Sequence, residues 1–158
     1  MRSTRRGHAR TSSRRQSQRG AAMLEIALSL TAFLLLTMGV MEFAMAVYAY
    51  NFCNYISGEA ARWASVRGSQ YVASGNTAIT NTDVTNYVLG QAVGFDSGKL
   101  SVATCWTTAP STSGGCDGST TPGSTVQVTV GYTVVPLVGL ALKQNLQVQN
   151  TAQTVIVH

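Results

Sequence analysis

The sequence predicts an α+β protein in which one long N-terminal helix, first membrane-spanning and then amphipathic, packs on a small antiparallel sheet. Three observations predict it. Residues 21–50, AAMLEIALSLTAFLLLTMGVMEFAMAVYAY, are an apolar run whose only charges are Glu25 and Glu42. Apolar residues then continue at helical spacing through Phe52, Tyr55, Ile56, Ala60, Trp63 and Val66. Farther on, Val126, Val128, Val130, Tyr132 and Val134 alternate with polar or small residues, which is the period of a half-buried strand. About three strands with one apolar face cannot stand alone in water, and the stripe of the long helix is the surface available to cover them.

The net charge of +5 at pH 7 describes a tail more than a body. Seven of the eleven cations are arginines within residues 1–20 (Arg2, Arg5, Arg6, Arg10, Arg14, Arg15 and Arg19), a segment without Asp or Glu, whereas residues 21–158 carry four cations against six anions. Beyond Met1 the tail holds no apolar residue larger than alanine, so it buries too little to offset chain entropy and is expected to be disordered. A basic tail of this kind is explained by membrane topology, and no nucleic-acid partner is predicted.

As a helix, residues 24–50 reach about 40 Å at roughly 1.5 Å per residue, more than the roughly 30 Å of bilayer hydrocarbon. The run also exceeds the usual signal-peptide core of about 7 to 15 residues, so it reads as an anchor. Positive-inside counting puts the arginine side in the cytoplasm and the rest outside it. The expected organisation is therefore a leader at 1–20, a long helix at 21–68 stopped by Gly68, and a small extracytoplasmic α+β domain at 69–158. Within the helix Glu59 and Arg62 are spaced to pair.

In the outer domain, Thr82 or Asp83 is expected to cap a helix running to about Val93, with Gly94 as its stop. Residues 99–107 alternate as a strand, 108–123 are turn chemistry almost throughout, and 126–134 form the clearest strand, ended by Pro136. In the last segment, 145–157, Leu146 and Val148 are even while Val155 and Val157 are odd. A bulge or kink near Asn150 is expected to absorb that change of parity.

Few parts for catalysis are present. His8 lies in the leader and His158 is the last residue, so the body lacks an internal histidine for a nucleophile pair or a histidine-based metal site. No catalytic, cofactor-binding or metal-ligating residue is assigned, and a non-enzymatic protein is expected. Cys105 and Cys116 bracket a Gly/Ser-rich loop on the oxidising side, where a disulfide would restrict the loop; Cys53, near the membrane exit of the helix, reads as a buried thiol.

The specific signal lies at the junction Arg19-Gly20-Ala21-Ala22-Met23-Leu24-Glu25. An acidic side chain inside hydrocarbon costs about 2.5 to 3.5 kcal/mol on insertion scales at a helix centre, so Glu25 calls for a neutralising group, and Glu42 in mid-run calls for a protein partner or protonation. The junction resembles the processing site of type IV prepilins, in which a prepilin peptidase cuts after Gly on the cytoplasmic side. That resemblance implies Gly20 and Ala21 as the processing site, with Glu25 as the fifth mature residue neutralising the new amine of a neighbouring subunit. Within the superfamily, Gly20, Glu25, the Glu42-Phe43 pair, Tyr48 to Asn51, and Glu59-Ala60-Ala61-Arg62 look like the TadE-type pseudopilins of tight-adherence (Tad, or Flp) pili. The 126–134 strand followed by Pro136-Leu137 is similar as well.

Two departures separate the chain from close relatives. Flp major pilins carry Glu-Tyr where this chain has Glu25-Ile26, and many ordinary type IV pilins carry Phe where it has Ala21. The resemblance therefore implies a minor pilin or pseudopilin with a type IV pilin-like fold in the bacterial inner membrane. Its implied partners are prepilin peptidase, other pilin or pseudopilin subunits, the Tad inner-membrane assembly platform and membrane lipid, with Glu25 and Glu42 as assembly residues. The alternative is an uncleaved single-pass envelope protein whose outer domain binds or adheres.

Overall fold

A computed structural model describes residues 11–108, 115–136 and 144–157, with side chains from residue 20 onward. The first ten leader residues, the turn stretch 109–114, Leu137 and His158 lie outside the described residues. The elements are helices α1 (Thr11–Ser65), α2 (Ser69–Ala73) and α3 (Asn81–Gln91), a 3₁₀ turn at Ser97–Lys99, and strands β1 (Leu100–Thr107), β2 (Thr125–Val134) and β3 (Leu146–Val155). The architecture is α+β, a long N-terminal apolar helix on a three-stranded antiparallel sheet, as the sequence predicts. Two compact units divide it, Met1–Met41 and Glu42–His158.

The described part of the first unit is α1 alone. Its helical backbone begins at Thr11, inside the segment expected to be disordered. Residues 11–19 contain no Gly or Pro and are rich in Arg and Gln, good helix formers, and extending an existing helix avoids the cost of nucleating one. From Gly20 to Met41 no residue is buried. Thr31 Oγ1 donates to the carbonyl of Ala27 at 2.8 Å and Thr37 Oγ1 to that of Phe33 at 2.7 Å, so these two hydroxyls are satisfied within their own helix.

The second unit is built on a meander, β1-β2-β3, antiparallel throughout. The even residues of β2, Val126, Val128 and Val130, are fully buried. They join Cys53, Ile56, Ala60, Ala61 and Ala64 of α1, Val84 and Val88 of α3, Trp106 of β1, and Ile156 in one core. Along α1 that stripe is mostly small side chains, which lets the helix lie close to the sheet, while Ile56 supplies bulk. Burying a side chain of that size is worth about 1.5 to 3 kcal/mol. On the opposite sheet face Gly131 keeps room for its neighbour: a Cβ there would stand 2.7 Å from Ser101 Oγ, which donates to the Gly131 carbonyl.

Three expectations are corrected. First, α1 ends at Ser65, three residues before Gly68. The end is made by other groups: the Arg67 amide donates to the Ala64 carbonyl at 3.0 Å and the Val157 amide to that of Ser65 at 3.2 Å. The Arg67 guanidinium takes the Trp63 carbonyl at 2.8 Å. Gly68 has φ −77° and caps the start of α2 instead.

Second, α3 is capped by Thr80. Its hydroxyl accepts from the Asp83 amide while the Asp83 carboxylate accepts from the Thr80 amide at 2.8 Å, a reciprocal capping box. Gly94, with φ +86°, does follow that helix as a left-handed residue.

Third, β3 has no change of parity. Its register with β2 runs unbroken from Leu146↔Val134 to Val155↔Thr125. Val148, Asn150, Ala152 and Thr154 are half-buried, Ile156 is buried, and the odd Val155 and Val157 are exposed. Asn150 is tolerated facing inward because Ser57 Oγ on α1 meets its Oδ1 at 3.4 Å.

Candidate assembly interface

The junction singled out by the sequence lies on the exposed part of α1. Gly20, Ala21 and Glu25 are all exposed, and the space where a Gly20 side chain would stand is open for 4 Å. Ala21 and Glu25 are four residues apart on a helix and so share a face. Around them Met23, Leu24, Ile26 and Leu28 are 68–76% exposed. Glu25 is the one charged residue between Gly20 and Met41. A helix that is apolar all round and packs on nothing of its own belongs in lipid or among other helices. The Gly20–Ser65 part of α1 is long and apolar enough to cross a membrane.

Glu42 lies elsewhere in the architecture. It is 6% exposed and belongs to the unit Glu42–His158, so its side chain is covered by its own chain. Ala49 is also covered, at 2%. Residues 43–48 of the same helix are nonetheless exposed or half-buried, so burial resumes only in part at Glu42. Phe43, Tyr48 and Tyr50 are 70%, 64% and 47% exposed.

Cys105 and Cys116 are joined in a disulfide that ties β1 to the loop before β2. Cys53 is a free thiol at 0% exposure in the core. Asp117, next to Cys116, organises the same loop: its carboxylate accepts from the amide and hydroxyl of Thr108 and from the Ser119 amide. These bonds hold the Asp117 carboxyl below the usual aspartate range, the Thr108 hydroxyl contributing most, and the Thr80 hydroxyl does the same for Asp83. Glu59 and Arg62 approach to 3.5 Å on the surface of α1.

Sequence reasoning missed several of these groupings. The Thr80-x-x-Asp83 spacing is itself a capping-box signal and could have found the start of α3. Trp63 and Arg67, four residues apart, likewise point to the cation–π contact found between them, with the guanidinium carbon 4.2 Å from the ring centroid. Nothing local in the sequence marks Glu42 as the edge of the folded unit. Among the described residues no cluster of His, Cys, Asp and Glu is arranged to hold a metal ion.

Residues 20–62 match the family model described as a TadE-like protein. The match begins at Gly20 and takes in Glu25, Glu42 and the Glu59–Arg62 pair. No curated protein and no solved structure matches the chain.

Proposed function

We propose that the protein is a minor pilin or pseudopilin that supports assembly or initiation of a Tad (Flp) type pilus by helix packing and a displayed outer domain, with no catalysis of its own. The observation that carries this reading is Glu25: the single charge on a fully exposed apolar helix of membrane length, five residues past a glycine, within a TadE-like segment. A prepilin peptidase removes residues 1–20 and frees the amine of Ala21. Before cleavage the arginines hold the N-terminus in the cytoplasm; afterwards seven like charges that would repel between adjacent helix ends are gone. Glu25 then neutralises the Ala21 amine of a neighbouring subunit. Glu42, covered within its own unit, helps set where the outer domain begins.

The test is the mature N-terminus. Mass spectrometry of protein from the native host is expected to find Ala21 first, Gly20→Leu to block that cleavage, and Glu25→Ala to leave insertion intact while abolishing incorporation or assembly. A second reading, an uncleaved envelope anchor with a binding domain, is favoured by one feature, the unbroken helical backbone through Gly20. Leader still attached to the functional form would establish it in place of the pilin reading.

A further inference from the structure

Trp63, Arg67 and Tyr71 follow one another at intervals of four across the break between α1 and α2. Arg67 is held in place twice: its guanidinium carbon sits 4.2 Å from the Trp63 ring centroid and 5.9 Å from that of Tyr71, and Nη1 donates to the Trp63 carbonyl at 2.8 Å. Trp63 is itself stacked on Tyr87, with centroids 4.8 Å apart. Among the described residues no carboxylate comes within ion-pair distance of Arg67; the ion pairs there join Arg62 to Glu59 and Lys99 to Asp96. A guanidinium fixed on an aromatic shelf has already lost much of its freedom, and its remaining N–H groups form a planar fork suited to a carboxylate.

These residues open into a shallow cavity of about 240 Å³, with Thr77 and Asp83 on its wall. That is below the roughly 300–1,000 Å³ of pockets for drug-sized ligands, so it suits one small polar molecule. The hydrogen bonds to the Asp83 carboxylate all fall on Oδ2, from the Thr80 amide and hydroxyl, which leaves Oδ1 to accept from hydroxyl groups. A second recess of about 210 Å³ also has Tyr71 on its wall, beside Gln70 and Ser74. Asp83 disfavours a phosphate dianion in the same space, whereas a single carboxylate surrounded by neutral hydroxyls is tolerated.

We propose that this cavity binds an acidic saccharide, with the sugar carboxylate on Arg67, its C–H face on Tyr71 and its hydroxyls on Thr77 and Asp83. The cavity lies wholly in the unit Glu42–His158, so its occupancy and the processing at Gly20 stand or fall separately.

The test is isothermal titration of the full chain in detergent micelles with galacturonate, galactose, acetate and inorganic phosphate as probes. Galacturonate is expected to bind with a Kd on the order of 1 mM, as befits about a dozen non-hydrogen atoms in a shallow site. The other three should each bind at least tenfold more weakly. Arg67→Gln should lower galacturonate affinity to that of galactose, and Tyr71→Ala should weaken both sugars. Because Arg67 also helps end α1, Thr77→Trp provides a variant that fills the cavity from its exposed rim and should abolish binding with the thermal unfolding transition retained. Acetate or phosphate binding as tightly as galacturonate, no saturable galacturonate binding, or unchanged binding in Thr77→Trp would each overturn the proposal.

Discussion

Residues 20–41 and residues 42–65 belong to the same helix, and both are rich in apolar side chains, yet they meet opposite fates. In the first stretch nothing is buried, although it carries large apolar residues, among them Leu24, Leu28, Phe33 and Leu36. In the second a stripe formed by Ala49, Cys53, Ile56, Ala60 and Ala64 is at 2% exposure or less. Burial within this chain thus tracks shape and periodicity more closely than hydrophobicity. A stripe of small side chains at helical spacing packs into the core, whereas a stretch apolar on every side is left for lipid or for other helices.

If the two stretches differ in this way, equal truncations must have unequal effects. Ile56→Ala should cost about 2 to 5 kcal/mol of stability in the outer unit, whereas Leu28→Ala should change it by less than about 0.5 kcal/mol. Denaturant unfolding in micelles, followed by the fluorescence of Trp63 and Trp106, measures both, and similar losses would break the comparison. Trp106 suits the purpose because it is buried and its indole N–H donates to Asn81 Oδ1 at 2.9 Å.

Next in size is the disulfide. Opening the link between Cys105 and Cys116, 11 positions apart, by Cys116→Ser should cost about 2 to 3 kcal/mol on chain-entropy grounds. Hydrogen exchange should speed up in β1 and β2 and stay unchanged at 20–41; faster exchange in both places would show that the two stretches unfold together.

Thr80→Ala is smaller, about 1 kcal/mol, and should fray α3 from its first turn. It also bears on what could be read from sequence. The long helix, the three strands and the even-numbered core face of β2 were legible because period and composition agree over many residues. The edges were not. Ser65 ends α1 because Val157, more than ninety residues later, caps it. Ile156 completes the core after three half-buried residues, Asn150, Ala152 and Thr154, that are small or polar and so hid the continuity of β3. Of the candidate interface, Gly20 and Glu25 could be read from local spacing. The burial of Glu42 could not, since its own apolar neighbours Met41 and Phe43 are exposed.

The smallest expected effect is with pH. Asp83 and Asp117 are held below the normal carboxyl range by hydrogen bonds in the folded state, so their stabilisation is complete above the unfolded value of about 4 and is lost as pH falls through the lowered folded values. Acidification below about pH 4 should therefore loosen the cap of α3 and the bonds of Thr108 and Ser119 to Asp117, seen as faster hydrogen exchange at the Thr80, Thr108 and Ser119 amides. The helical signal of 20–41 should persist over the same range. Loss of that signal first would reverse the ranking of the two stretches.

The bond from the Val157 amide to the Ser65 carbonyl, together with the pairing of Ile156 with Ser124, has a mechanical meaning. A tensile load arriving along α1 meets, at the helix's end, the same short segment that borders β3. The force path thereby passes from Ser65 to Val157 and Ser124 and need not run through residues 66–99. Those intervening stretches are under little tension while the tether is pulled. Changes of length there that keep Val84, Val88 and the Cys105–Cys116 disulfide in place should leave the bond between Val157 and Ser65 unaltered.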